Sequence, residues 1–373
     1  MNRAENFLQQ KLNERIEKGL LRELTTTSFP FDFCSNDYLG FARSSILKKL
    51  INEQSKQLID LKNGSGGSRL LSGNNKFTEE TEQFIANFHD AQSGLIFNSG
   101  YDANIGILSS IPQRGDTIIT DELIHASLID GARLSHADRF KFKHNDLIDL
   151  ESKLKNAKGL VYVVVESVYS MDGDIAPLKD IVKLCKIYQA NLIVDEAHAT
   201  GIFGDQGRGL TSQLNLENDV FARIITFGKA IGIHGAIILG SHTLRNYLIN
   251  FARSFIYTTA APLHQMVAIN CAYQLLSNGS FHLQIQEKIA LYNQLIEEIN
   301  LPTVKSESAI QTILFSGNES ARNAALQLQS KGFDVKAILS PTVAEGKERL
   351  RICLHIYNTD QEIENLVNEL KSF

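Results

Sequence analysis

The chain has 373 residues and a formal net charge of −5, with 37 Lys and Arg against 42 Asp and Glu. At roughly 100–200 residues per domain, this length allows two or three domains and excludes a disulfide-stapled miniprotein. Hydrophobic residues make up 43% and charged residues 21% of the chain, which is typical of a globular protein and excludes the disordered and fibrous classes.

Charge and cysteine content narrow the class further. No Lys/Arg cluster is dense enough to form a basic face, so we expect no nucleic-acid partner. The cysteines lie far apart, without a CxxC pair or the Cys/His spacing of a zinc site, so we expect free thiols and no metal. The N-terminus lacks the apolar core of a secretion signal, and no apolar run approaches the ~20 residues of a membrane span. These features favour a cytoplasmic protein without membrane contact.

The predicted elements begin with an amphipathic helix over residues 4–24. Phe7, Leu12 and Ile16 recur there at helical spacing among charged residues. The pattern breaks at residues 25–30, which we interpret as a hinge between an N-terminal arm and the body of the protein.

Residues 93–240 alternate short apolar runs with helical stretches. Runs rich in Val and Ile are typical of strands buried on both faces, and the intervening segments are long enough for crossover helices. The pattern predicts an α/β fold with a mainly parallel central sheet flanked by helices. The predicted strands are 94–97, 117–120, 139–142, 160–166, 191–195, 223–226 and 236–239.

The pattern changes after Pro262. A long helical region through about residue 298 precedes short strands at 310–315 and 349–355 and a closing helix at 360–372. This order is typical of a smaller α+β domain packed against the body. We therefore predict an N-terminal helical arm (1–43), a large domain (44–270) and a small C-terminal domain (271–373).

Two charged residues that follow predicted strands indicate the chemistry. Asp195 leaves a buried strand and needs a cationic partner, such as a protonated heterocycle nitrogen; alternatively, it caps the next helix. Lys229 follows another strand and lies between small residues, where it could reach a cofactor aldehyde. Without the other site residues, it would be interpreted as a surface lysine. Together they match the two protein groups that pyridoxal chemistry requires.

Two further segments follow strands. Ser99, Gly100 and Tyr101 open a helix, where backbone amides and the helix dipole favour a phosphate, although such turns join many strands to helices. His125 could lay its imidazole on a cofactor ring; otherwise it is a structural histidine.

Taken in order, these residues resemble the α-oxoamine synthases, pyridoxal-phosphate enzymes of aminotransferase-like fold type I. The resemblance covers nearly the whole chain, from Ser-Asn-Asp-Tyr-Leu-Gly at 35–40, through Gly-Ser-Gly-Gly-Ser-Arg-Leu-Leu-Ser-Gly at 64–73, to Arg-Leu-Arg-Ile at 349–352. Each motif is modest alone, but the set in this order is specific for the family.

The resemblance implies a role for each matching residue and pyridoxal 5'-phosphate (PLP) as the cofactor. It implies catalytic roles for Lys229 as the Schiff-base lysine, Asp195 on the pyridine nitrogen, His125 stacked on the ring and Glu166 in the pocket. It implies cofactor contacts from Gly100, Tyr101, Ser170, His198, Thr226 and Thr258, the last from a partner subunit, and substrate contacts from Asn36 and Arg351.

The implied reaction is decarboxylative condensation of L-alanine with a pimeloyl thioester of coenzyme A or an acyl carrier protein, as in the biotin branch of the family. The glycine acetyltransferase, 5-aminolevulinate synthase and serine palmitoyltransferase branches are the alternatives. A true aminotransferase and a non-catalytic protein of the same fold are further alternatives. The resemblance also implies a homodimer with shared active sites.

Overall fold

The computed structural model describes residues 2–58 and 62–373. Residues 1 and 59–61, which belong to the predicted arm and large domain, lie outside the described residues. The strands are β1 (Phe31–Asp32), β2 (Ser93–Phe97), β3 (Thr117–Asp121), β4 (Asp138–Phe142), β5 (Val161–Glu166), β6 (Asn191–Asp195), β7 (Ala222–Thr226), β8 (Ala236–Gly240), β9 (Ile310–Leu314), β10 (Phe333–Asp334), β11 (Lys336–Ile338) and β12 (Arg349–Cys353).

The central sheet of the described residues has seven strands in the order β2-β8-β7-β6-β5-β3-β4. The neighbours from β7 to β4 pair in parallel, and β8 runs antiparallel to both β2 and β7. Strands β2, β3 and β5 are buried along their whole length, as expected for a sheet covered by helices on both faces. The mainly parallel α/β sheet predicted from the apolar runs is confirmed.

Helices surround this sheet and continue into the C-terminal part of the chain. They are α1 (Arg3–Glu17), α2 (Ser45–Gln57), α3 (Lys76–Phe88), α4 (Gly100–Ser110), α5 (Ala126–Leu134), α6 (Leu147–Asn156), α7 (Leu178–Ile187), α8 (Leu210–Gln213), α9 (His242–Phe251), α10 (Arg253–Ile256), α11 (Leu263–Ser277), α12 (Phe281–Glu297), α13 (Asn318–Ser330) and α14 (Asp360–Leu370).

The first helix is shorter than the pattern predicts. It ends at Glu17 because Gly19 adopts a left-handed conformation with φ of 63°. The amides of Gly19 and Leu20 donate to the carbonyls of Ile16 and Arg15, which closes the last turn. No residue of this helix is buried, and its large apolar residues Phe7, Leu8, Leu12 and Ile16 are each about half exposed.

The C-terminal part contains a second sheet with the order β11-β12-β9, antiparallel throughout. The predicted single helical region is interrupted at Asn278 and Gly279, so α11 and α12 are separate helices. The short strand β1 pairs with β10 of this part, and Cys353 donates its amide to the Phe33 carbonyl. The segment after the arm therefore crosses to the C-terminal part before the chain enters the large sheet.

The parallel strands end together on one side of the central sheet. Glu166 at the end of β5 is in register with Asp195 at the end of β6, which is in register with Ile224 of β7. Ligands of open α/β sheets bind at the carboxyl ends of the strands, so this edge is where a site is expected. Among the described residues, no helix is both long and apolar enough to cross a membrane.

Candidate active site

Lys229 lies in the turn that connects β7 to β8, three residues beyond the end of β7. Its Nζ atom is 2.7 Å from Nε2 of His198, which follows β6. Burial lowers the pKa of Lys229, and the nearby carboxylates of Asp195 and Glu166 oppose this effect only in part. A lysine with a lowered pKa has a larger share of free amine, the form that attacks carbonyl carbons.

His198 connects Lys229 to the N-terminal segment. Its Nδ1 is 2.8 Å from the Tyr38 hydroxyl, which donates to Oδ1 of Asn36 at 3.1 Å. The Tyr38 hydroxyl donates its hydrogen to Asn36, so it can only accept from His198. Nδ1 of His198 therefore carries a hydrogen, and Nε2 of the neutral ring accepts from Lys229. Burial, followed by the charge of Lys229, lowers the pKa of His198 well below its usual range, which keeps the ring neutral.

Asp195 is held by two donors. Oδ1 accepts from the backbone amide of Ala197 at 2.9 Å, and Oδ2 accepts from Nδ2 of Asn104 at 2.9 Å. The carboxylate is therefore fixed at the end of β6, with lone pairs remaining on both oxygens.

Glu166 ends the neighbouring strand beside Asp195. Burial, reinforced by the charge of Asp195, raises the pKa of Glu166. Its Oε2 accepts from the Ser170 amide at 3.2 Å, whereas its buried Oε1 has no hydrogen-bond partner among the described residues. An unpaired buried oxygen that favours the protonated form indicates a group able to share a proton or bind a ligand.

His125 precedes α5 and caps it. The Ser127 amide donates to its Nδ1 at 3.2 Å, so the imidazole takes the place of the usual Ser or Asp oxygen at a helix N-terminus. Burial, followed by the charge of Lys229, lowers the pKa of His125. Its Nδ1 is 2.6 Å from Oγ of Ser127, which accepts from the same Asn104 amide that donates to Asp195, so His125 lies at the same edge of the sheet.

A phosphate cradle is formed where β2 leads into α4. Ser99 caps α4, and a Cβ atom at Gly100 would lie 2.6 Å from Oγ1 of Thr226, so only glycine leaves this approach open. Backbone N–H groups at a helix N-terminus with no side chain in the way favour an anion. Thr258 of the same chain is close by, because its Oγ1 accepts from Asn98 at 3.0 Å; the contact from a partner subunit that the resemblance implies stays a prediction.

Arg351 projects from β12 towards the end of β5. Its Nε donates to the Ser170 carbonyl at 2.8 Å, and its two terminal nitrogens contact Cys353 at 2.9 Å and Asn36 at 3.0 Å. An arginine has five N–H groups, so two remain for a ligand after these three contacts.

These residues fit pyridoxal phosphate. Lys229 offers an amine, Asp195 an acceptor for a ring N–H, His125 a planar face and Gly100 an open phosphate cradle. The buried unpartnered oxygen of Glu166 and the space at Gly100 are features that a bound ligand would satisfy. No group of His, Cys, Asp and Glu in the described ranges could hold a metal ion.

Most residues predicted from the sequence come together here, and Tyr101 does so through its backbone, as the resemblance implies. Its ring is 46% exposed and its hydroxyl donates to Asp130, so only its backbone lies at the cradle. Tyr38, Asn104 and Ser127 also contribute to the site, although the sequence predicts no role for any of them. The signal in the sequence that could have indicated Tyr38 is its place in the 35–40 motif.

Comparisons with known proteins show which family this chain belongs to. A family model described as aminotransferase class I and II matches residues 30–370. The 8-amino-7-oxononanoate synthase of Emericella nidulans is 42% identical over 98% of this chain and 95% of its own length. The solved 8-amino-7-oxononanoate synthase of Francisella tularensis is 29% identical, with a TM-score of 0.79 over 92% of this chain and 97% of that chain.

A serine palmitoyltransferase from S. paucimobilis, solved with bound PLP and myriocin, has a TM-score of 0.90 at 24% identity over 100% of this chain and 98% of that one. This likeness confirms the predicted fold, PLP-dependent transferase fold type I, and the family match confirms PLP as the cofactor. The chain therefore belongs to the aminotransferase class I and II family and, within it, to the α-oxoamine synthases.

Proposed function

We propose that this enzyme condenses L-alanine with a pimeloyl thioester and releases 8-amino-7-oxononanoate, carbon dioxide and a free thiol, a step of biotin synthesis. The observation that carries the proposal is the convergence of Lys229, His198 and Asp195 at one sheet edge, in a chain 42% identical to an 8-amino-7-oxononanoate synthase. When bound, PLP supplies an aldehyde for amino groups and a ring that takes up the electron pair left by a broken bond at the α-carbon.

The cofactor would be held by Lys229 through its amine, by Asp195 at the ring nitrogen and by the Gly100 cradle at the phosphate. The fixed carboxylate of Asp195 would stabilise a proton on the ring nitrogen, because a nearby opposite charge favours the charged form. Thr226, Ser170 and His198 would contribute further polar contacts.

Lys229 is proposed as the base that removes the α-proton of alanine. Its lowered pKa leaves free amine near neutral pH, and its contact with neutral His198 gives an acceptor for the extra hydrogen once the amine is protonated. The carbon left behind attacks the thioester carbonyl; a carbon–carbon bond forms, the carbon–sulfur bond breaks and the thiol leaves. Loss of carbon dioxide from the resulting β-keto acid leaves an electron pair on the α-carbon, which takes the proton back from Lys229 to give the aminoketone, while the departing sulfur takes its proton from water.

Arg351 is proposed to receive the alanine carboxylate. Its remaining N–H groups suit two carboxylate oxygens better than a single ammonium would. Asn36 and the Ser170 carbonyl hold the guanidinium in place. The same Asn36 oxygen accepts from Tyr38, so the carboxylate site and the Lys229 amine share one hydrogen-bond chain.

A homodimer and a cytoplasmic location belong to this proposal. Tyr257 is 72% exposed beside Thr258, and the side chain of Leu71 in the 64–73 motif is 84% exposed. Exposed apolar side chains beside a phosphate cradle suit a surface that a second copy covers. The partners are then alanine, the acyl thioester and a second copy of the chain.

The test is to incubate the PLP-loaded enzyme with alanine, glycine or serine against a panel of acyl thioesters, carried by coenzyme A and by an acyl carrier protein. Aminoketone and thiol from alanine plus pimeloyl thioester support the proposal. Turnover only with serine and palmitoyl thioester, or with glycine and a short acyl group, would assign the enzyme to another branch. Exchange with a keto acid and no thiol release would make it an aminotransferase.

A further inference from the structure

A buried amide lies beneath the candidate site. Asn104 on α4 is 3% exposed, and its Nδ2 lies 2.9 Å from Oδ2 of Asp195 and 2.8 Å from Oγ of Ser127. An ionised carboxylate only accepts hydrogen bonds, so the amide nitrogen of Asn104 must face Asp195. Both hydrogens of the amide are therefore used, one on the carboxylate and one on the serine hydroxyl.

The serine passes this orientation on to His125. Because Ser127 Oγ accepts from Asn104, its own hydrogen is directed to Nδ1 of His125, 2.6 Å away. The Ser127 backbone amide donates to the same nitrogen at 3.2 Å. Nδ1 thus faces two donors and carries no hydrogen, so the single hydrogen of the neutral ring lies on Nε2.

The packing of α5 against α4 brings Ser127 close to Asn104, and the side-chain oxygen of Asn104 stays unpaired. A Cβ atom at Gly131 of α5 would lie 2.7 Å from the Asn104 carbonyl, so glycine allows α5 to approach α4 at the turn that carries Ser127. The side-chain oxygen of Asn104 is buried without a hydrogen-bond partner among the described residues. The fold thus leaves the side-chain oxygen of Asn104 unpaired, while both hydrogens of its amide nitrogen have acceptors.

We propose that Asn104 is a positioning residue that joins the Asp195 carboxylate to the His125 imidazole through Ser127 and fixes His125 as the neutral Nε2–H tautomer. A neutral His125 does not compete with the ring nitrogen of the cofactor for the Asp195 charge. The lowering of the His125 pKa, by burial and then by Lys229, agrees with a ring that stays neutral. The inference rests on the proposed function only in assigning Asp195 and His125 to the cofactor.

The test uses the PLP-loaded protein labelled with ¹⁵N-histidine, in which NMR distinguishes protonated from unprotonated ring nitrogens; the His125→Asn variant assigns the signal. The wild type should show Nδ1 unprotonated and Nε2 protonated. Asn104→Ala should allow a measurable population of Nδ1–H and should weaken PLP binding by on the order of tenfold, as expected for a lost bond to a charged group.

Ser127→Ala should keep the Nε2–H tautomer, because the backbone amide of residue 127 still donates to Nδ1 and no acceptor for an Nδ1–H remains. It should also leave PLP affinity close to wild type, because the bond from Asn104 to Asp195 remains. The matched control is Asn191→Ala at the opposite end of β6, where Nδ2 donates to the Val161 carbonyl at 3.1 Å. This variant should change neither reading.

A wild-type His125 protonated on Nδ1 would overturn the proposal. So would an unchanged tautomer in Asn104→Ala, in which Oγ of Ser127 is free to accept a hydrogen from Nδ1. If Asn104→Ala does not fold, Asn104→Ser decides in its place, because a serine side chain is too short to reach both Asp195 and Ser127. These readings do not depend on turnover, so a failure to form aminoketone would refute the proposed function and leave this inference standing.

Discussion

His144 connects the end of β3 to the segment that carries Ser170. Its Nδ1 contacts Asp121 at 3.0 Å and its Nε2 contacts Asp174 at 2.7 Å, with the Tyr169 ring packed edge-on at 4.4 Å between centroids. Burial alone lowers the pKa of His144, but the bonds to the two carboxylates outweigh it and raise the pKa to about 9. We predict that this bridge stabilises the folded protein and that the stabilisation is lost at alkaline pH.

The magnitude follows from the pKa difference between the folded and unfolded chain. A folded pKa of about 9 against 6.5 unfolded corresponds to about 3 kcal/mol, at about 1.4 kcal/mol per pH unit. Because the folded value is the higher one, this stabilisation is complete below pH 6.5 and is lost as the pH rises towards and through 9. The neutral side chain of His144→Asn has no such contribution.

The assay is urea unfolding of wild type and His144→Asn with saturating PLP, from pH 6 to pH 10. The difference in unfolding free energy between them should shrink by about 3 kcal/mol across this range. Subtracting the unfolding free energies of the two proteins at each pH cancels the contributions of the other titratable groups, which both proteins share. His136→Asn, at an exposed histidine, is the matched control for replacing an imidazole without the two carboxylate contacts of His144. A His144→Asn difference that stays constant with pH would refute the reasoning.

Three further changes test the site. Lys229→Ala should abolish the absorption band of lysine-bound cofactor and reduce kcat at least about a hundredfold while keeping the fold; wild-type turnover in this variant would exclude Lys229 as the base. Arg351→Lys should raise the KM for alanine by about tenfold or more with a smaller change in KM for the thioester, because the forked contact is lost; equal changes in both KM values would argue against carboxylate binding. Tyr38→Phe should lower both stability, by about 1–3 kcal/mol, and kcat, because the His198 Nδ1–H loses its acceptor. Tyr273→Phe is its matched control, a buried tyrosine bonded to His89 at 3.1 Å, and should lower stability alone; a similar loss of kcat in both variants would contradict the role of Tyr38.

The central sheet is predictable because its strands are buried on both faces. Strands such as β5 and β6 are continuous apolar runs that end in a carboxylate, and that pattern needs no tertiary information. The error at the end of α1 has a local cause: the apolar spacing continues to Leu21, but Gly19 stops the helix. The boundary predicted at 270 and 271 lies inside α11, where no composition change marks it.

The candidate site likewise has residues that the sequence predicts and residues whose contacts depend on packing. Lys229, Asp195 and Gly100 follow strands, so sequence position alone brings them to one edge. Asn104 and Tyr38 reach the site through a helix turn and an N-terminal crossing, and their contacts depend on packing between elements distant in the chain. The sequence gives no periodic signal for such contacts.

The central claim is tested most directly by following alanine labelled with ¹³C in its carboxyl group, with pimeloyl thioester as the second substrate. The account predicts one labelled carbon dioxide and one free thiol for each aminoketone, which carries no label. Label retained in the product, or pyruvate formed without thiol, would contradict decarboxylative condensation at Lys229.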